Sequence, residues 1–179
     1  MNKLIPILIV IPLIALILLS GCLTENPDNP DTNSSDNYIA DIPVSSITSF
    51  KQAEGDACTV DGKPVIRLYS TTWCPHCKLV KKPFDDTVNY YVDQGLIVAY
   101  HFELDTGDDT LTSEVESEVP AVEQALFKQF NAKGSIPTFV FGCKYYRIGN
   151  GFESNGALDE QAEIAEFKAV IEKLIAEAK

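Results

Sequence analysis

The chain has 179 residues, 45% of them hydrophobic, with 14 basic against 26 acidic side chains and a net charge of −12. So acidic a surface repels phosphate backbones and anionic headgroups, which sets nucleic acid aside as a partner and leaves the excess acid as a solubility feature.

Residues 1–21 read as a targeting segment: Lys3 makes a short basic start, residues 4–19 are apolar, and Leu19-Ser20-Gly21-Cys22 ends it. That ending resembles a prokaryotic lipoprotein box, in which Cys22 becomes the lipidated first residue after cleavage. The alternative is an uncleaved anchor, although the apolar run holds Pro6 and Pro12 and falls short of the roughly 20 residues that span a bilayer. Either way the chain is expected outside the cytoplasm, tied to the cell membrane. Residues 22–37 are polar, broken by Pro27 and Pro30, and read as a flexible linker. Residues 38–179 are the size of one domain.

Within that domain, residues 39–52 fit either a strand leading into a short helix or a loop packed on the core. Asp61-Gly62-Lys63-Pro64 turns the chain into an apolar strand at 65–69. Directly behind it stands Trp73-Cys74-Pro75-His76-Cys77, the start of a helix running to Asp93. A sulfur at a helix N-terminus faces unpaired N–H groups and the positive end of the helix dipole, which favours thiolate, the reactive form. Cys74 suits the N-cap, Pro75 loses no hydrogen bond in the first turn, and His76 adds a potential positive charge. Cys77, one turn in, is close enough to close a disulfide and is expected to be the less open of the two. The pattern describes an attacking and a resolving sulfur.

Leu79, Val80, Phe84, Val88 and Tyr91 give that helix a buried stripe, with Pro83 inside it. A β-rich run at 96–104 follows, holding His101, which reads as a satisfied structural residue rather than a catalyst. Residues 106–118 carry Asp108, Asp109, Glu114, Glu116 and Glu118 and read as a solvated loop or helix entry. Pro120 opens a helix to Phe130, with Val122, Leu126, Phe127 and Phe130 on one face. Residues 138–141 and 145–148 make a hairpin around Gly142-Cys143-Lys144. A last helix, at 159–178, carries one apolar stripe from Ile164 to Ala178.

A bare CxxC also supplies half of many zinc sites, but the chain has no second CxxC and, besides His76, only His101, so no metal site is expected. The later run Gly134-Ser135-Ile136-Pro137-Thr138-Phe139 completes a resemblance to the thioredoxin family, where a WCxxC motif after a strand is matched by a cis-proline loop. The resemblance implies an α/β thioredoxin-like fold with a central mixed β-sheet flanked by helices. It further implies a cis Pro137 and main-chain groups at Ile136 that receive an extended substrate peptide. Two departures stand out. Leu68 occupies the position, six before Cys74, where relatives carry a buried acid that relays the proton of the second thiol; Glu103 is a candidate substitute. The Pro-His dipeptide resembles that of periplasmic DsbA-type disulfide oxidases, yet the stretch from Asp105 to Pro137 is too short for their inserted helical domain.

The remaining cysteines, Cys58 and Cys143, are candidates for a bridge by parity, in a compartment where free thiols oxidise. The family's fold implies more: the strand after the cis-proline runs antiparallel to the motif strand, so both residues should lie at the pole away from Cys74. Two independent small buried residues are the alternative.

The leading expectation is an extracytoplasmic thiol:disulfide oxidoreductase without a cofactor. It would exchange disulfides with protein thiols through Cys74 and Cys77, with Trp73, Pro75, His76, Ile136 and Pro137 in support and a membrane redox partner in reach. The rivals are a Cu(I) metallochaperone using the two thiolates and a redox-inert binding module on the same fold.

Overall fold

Residues 34–178 are described by the computed structural model. In chain order they form α1 (Ser34–Asp41), β1 (Lys51–Gln52), β2 (Thr59–Val60), β3 (Lys63–Ser70), α2 (Pro75–Asp93), β4 (Val98–Glu103), β5 (Asp108–Asp109), α3 (Ala121–Phe130), β6 (Thr138–Phe141), β7 (Tyr145–Ile148), β8 (Glu153–Ser154), β9 (Ala157–Leu158) and α4 (Glu160–Glu177). The targeting segment, Cys22 and most of the linker lie outside the described residues. The linker's last four residues fall within α1.

The main sheet runs β1-β7-β6-β3-β4-β5, with β2 added to β3. β3 sits in the middle: β4 joins it in parallel, from Val65 opposite Val98 to Ser70 opposite Glu103, and β6 antiparallel, with Tyr69 opposite Thr138. Side chains alternate between the faces of such a strand. Ile66 and Leu68 turn to one face, where Val80, Phe84 and Val88 of α2 and Phe167, Val170 and Ile171 of α4 close the larger core. Tyr69 turns to the other, with Phe102, Phe127 and Val140 under α3. This is an α/β thioredoxin-like fold, a mixed sheet flanked by helices on both faces.

Several elements depart from their sequence reading, each for a tertiary reason. On α3, Val122 is 72% exposed, and the inward position belongs to Glu123. Its carboxylate is received there by Arg67 Nε at 2.7 Å, Arg67 Nη2 at 3.0 Å and the Tyr69 hydroxyl at 2.7 Å. In the acid tract Asp109 is buried on β5, where Oδ1 accepts the His101 backbone N–H at 2.8 Å and the Leu111 N–H at 3.2 Å. α4 is buried well beyond one stripe. Its Glu163 and Glu166 both meet the buried Arg147, and the Lys168 ammonium takes the carbonyls of Ile39 and Ile42. That grip, with Ile39 and Ile42 seated on Ile164 and Ala165, is why chain beginning at Ser34 is helical and docked.

The β6–β7 turn places Gly142 and Cys143 at positive φ, 58° and 55°, with the Lys144 N–H closing onto the Phe141 carbonyl at 3.1 Å. This is the mirror-image turn that suits the strand twist. A Cβ on Gly142 would come within 2.7 Å of Leu174, so glycine is required there twice over. The next residue, Cys143, is joined to Cys58 by a disulfide with a Cα separation of 5.3 Å.

Candidate active site

β3 ends at Ser70 and α2 begins at Pro75, so the motif occupies the strand-to-helix turn at one end of the sheet's central strand. The turn is pinned from the side. Asp105, just past β4, accepts the Thr72 N–H at 3.0 Å and the Thr72 hydroxyl at 2.5 Å, and these bonds hold its carboxyl below the usual range.

Cys74 is the N-cap of α2, in extended conformation at φ −72° and ψ 120°, and its sulfur accepts the Cys77 N–H at 3.4 Å. Both thiols are free, and each is 3% exposed. The expectation that Cys74 would be the more open sulfur is therefore corrected: accepting the Cys77 N–H draws it in against the helix end. What separates the two is chemistry. Burial pushes the Cys77 thiol up to about 12, the contact with Cys74 adds to the rise, and the Thr71 N–H pulls the other way. Trp73 beside them is 66% exposed and offers bare apolar surface at the mouth, with Pro75 also exposed.

The Ile136-Pro137 peptide is cis. Thr138, which follows it, pairs with Tyr69, so the proline comes to the same end of the strands as the motif. The Pro137 carbonyl is taken by the Gly149 N–H at 2.8 Å, whereas the Ile136 main chain makes no hydrogen bond among the described residues. Asn131 and Thr138 brace the loop from below through the Ser135 carbonyl.

His76 is exposed but not alone. Its Nδ1 lies 2.8 Å from Glu153 Oε1, and Asn150 Nδ2 donates both to Glu153 Oε2, at 2.8 Å, and to the His76 carbonyl, at 2.9 Å. Asn150, in the loop after β7, and Glu153, at the start of β8, thus clamp the first turn of α2. Nothing in the spacing of the chain points to them. Glu103, the candidate acceptor for the Cys77 proton, is held by Lys81 Nζ at 2.8 Å. His101 is fully buried, with partners on both ring nitrogens. Cys58 and Cys143 belong to the opposite end of β3: the Cys58 N–H donates to the Gly142 carbonyl and its carbonyl accepts from Val65.

No protein-family model and no curated protein matches this chain.

Proposed function

We propose that the protein is a thiol:disulfide oxidoreductase of the thioredoxin kind, acting on protein substrates through Cys74 and Cys77. The observation that carries this reading is the placement of two free thiols at a helix start, one capping it and one a turn inside, beside a cis-proline loop with an unused main chain. In the oxidising direction a substrate thiolate attacks Cys74 of the Cys74–Cys77 disulfide. The S–S bond breaks and its electron pair leaves on Cys77. A second substrate thiolate then attacks the mixed disulfide, releasing Cys74 as thiolate, so the substrate loses two electrons and the cysteine pair gains them. Reduction is the same path reversed, with Cys77 resolving. Exposed Trp73 and half-buried Ile136 supply apolar contact, and the Ile136 main chain can pair with an extended peptide.

The N-terminal segment supports an extracytoplasmic location, with the domain tethered to the membrane through Cys22 or an uncleaved anchor and open to a membrane redox partner. Insulin reduction with and without a copper chelator tests the activity. Turnover that is unaffected by the chelator supports exchange, and a protein inert toward insulin, glutathione and membrane-extract proteins sinks it. Alkylation of the reduced protein near neutral pH should label Cys74 before Cys77; the reverse order overturns the assignment of roles.

A further inference from the structure

The chain that leaves β7 touches both halves of the site within two residues. The Gly149 N–H takes the Pro137 carbonyl at 2.8 Å, one step beyond Thr138 and Ile148, the last paired residues of β6 and β7. At the next residue, Asn150 Nδ2 donates to the His76 carbonyl in the first turn of α2 at 2.9 Å. The same nitrogen donates to Glu153 Oε2 at 2.8 Å, while Glu153 Oε1 lies 2.8 Å from His76 Nδ1. The cis-proline is thus held on one side of this loop and the motif helix on the other.

The loop is itself fixed from behind. The N–H groups of Gly151 and Phe152 both donate to Glu163 Oε2 at 3.1 Å, and the Phe152 carbonyl accepts the N–H of Asp159, the N-cap of α4, at 2.9 Å. Glu163 is fully buried and paired with Arg147, whose guanidinium lies over the Phe139 ring, 4.5 Å from its centroid. A side chain at Gly151 would collide with Arg147 Nη1 and Ser49 Oγ, so the main chain is pressed onto that buried cluster. Asparagine suits its position because both neighbours of the side chain, a carbonyl and a carboxylate, are acceptors, and an amide nitrogen brings two donors without a charge. Asn150 Oδ1 is buried with no partner among the described residues. An unpaired buried acceptor is a cost to folding, so what the side chain contributes lies in the two bonds of its nitrogen.

We propose that Asn150 is a positioning residue for exchange with protein substrates: through it the loop fixes the Ile136-Pro137 segment against the helix that Cys74 caps. The proposal rests on the exchange reading above and deepens it. In the step served, the Cys74 thiolate attacks one sulfur of a substrate disulfide. The substrate S–S bond breaks, its electron pair leaves on the other substrate sulfur, and a mixed disulfide remains on Cys74. A protein brings its sulfur on a peptide paired with the Ile136 main chain, so the distance between attacking and attacked sulfurs is set by how α2 and the proline loop stand to each other. Rates fall steeply when reacting atoms are misplaced. A small disulfide without peptide groups makes no use of Ile136 and does not depend on that alignment.

The test mixes reduced full-chain protein rapidly with an excess of insulin or of oxidised mercaptoethanol and follows the fluorescence of the chain's single tryptophan, Trp73, beside Cys74. Asn150→Ala should lower the ratio of the insulin rate to the small-disulfide rate about tenfold, within the roughly hundredfold that an ångström of misplacement costs. Asn150→Asp, alike in shape but with nothing to donate, should lower it as far. A variant that is partly unfolded slows both reactions by one factor and leaves the ratio alone, so lost stability cannot imitate the effect. An unchanged ratio in Asn150→Ala, or a parent-like ratio in Asn150→Asp, overturns the role. Failure of the unaltered protein to react with either disulfide would instead sink the exchange reading itself.

Discussion

The two cysteine pairs of this domain sit at opposite ends of the same strand and are built for opposite ends. Cys74 and Cys77 are three residues apart, free, and aligned with the start of a helix whose N–H groups are at their disposal. Cys58 and Cys143 are 85 residues apart and closed, one in the arm before β2 and the other in a left-handed turn between β6 and β7. Trp73 and the cis-proline loop flank the first pair; the second is joined to the backbone ladder that ties β3 to β6. Identical side-chain chemistry is thus directed by its backbone, toward exchange where a helix start can stabilise a thiolate and toward a fixed staple where two distant strand ends meet.

That contrast can be broken most sharply by removing each pair. Cys74→Ser should abolish insulin reduction, and Cys77→Ser should accumulate mixed disulfides on Cys74, whereas the double variant Cys58→Ser/Cys143→Ser should keep the activity of the parent. Equal loss in both sets, by the same turbidity assay, would erase the distinction.

Stability should divide the other way. Without the Cys58–Cys143 bridge the domain should lose about 2–4 kcal/mol in a denaturant titration, because its unfolded chain regains the freedom of a long loop. Cys74→Ser should cost far less.

Titration separates the pairs again. Cys77 holds its proton in the folded state up to about 12, above the ordinary thiol value of about 8.5. Stability from this group is complete below the unfolded value and is lost as the pH rises through the folded one, since the unfolded chain gives up its proton first. The reduced protein should therefore weaken from about pH 9 upward, and Cys77→Ser should shrink that slope to what the buried Tyr69 and Tyr91 hydroxyls, also pushed up, contribute above about pH 10. The bridged pair has no thiol to titrate.

The smallest expected effect concerns Glu153. Its carboxylate beside His76 offsets the positive charge that would favour a thiolate at Cys74. Glu153→Gln should make the Cys74–Cys77 disulfide more oxidising. Equilibration with glutathione should shift by about two- to fivefold, as befits an ion pair with an exposed partner. A shift toward a weaker oxidant would show that the clamp acts otherwise.

Much of this was legible in the chain because it is local. The alternation through β3, the apolar stripe of α2, the N-cap at Cys74 and the glycine in the β6–β7 turn each follow from residues a few positions apart. Charged residues that turn inward were not legible, because their partners are remote. Glu123 defeats the expected face of α3 only because Arg67 and Tyr69 await it, 56 and 54 residues back. Glu163 and Glu166 are buried on account of Arg147. Glu153 reaches His76 across 77 positions, and Asp109 looks like one more acid in a solvated tract until its bond to the His101 N–H is seen. Hydrophobic period reports which way a residue prefers to face; it carries nothing about an ion waiting on the other side of the sheet.

The Cys58–Cys143 bond has one more consequence, and it is topological. It closes a covalent ring that contains every element from β2 to β6, and with them Cys74, Cys77 and Pro137. The most exposed apolar side chain in the acid tract, Val115, is on that ring too, 90% open to solvent. A protease that cuts once beside it opens the ring and frees no fragment. The two ends part only when a reductant reaches the far pole, so a nicked molecule keeps both of its exchange sulfurs and travels as a single species.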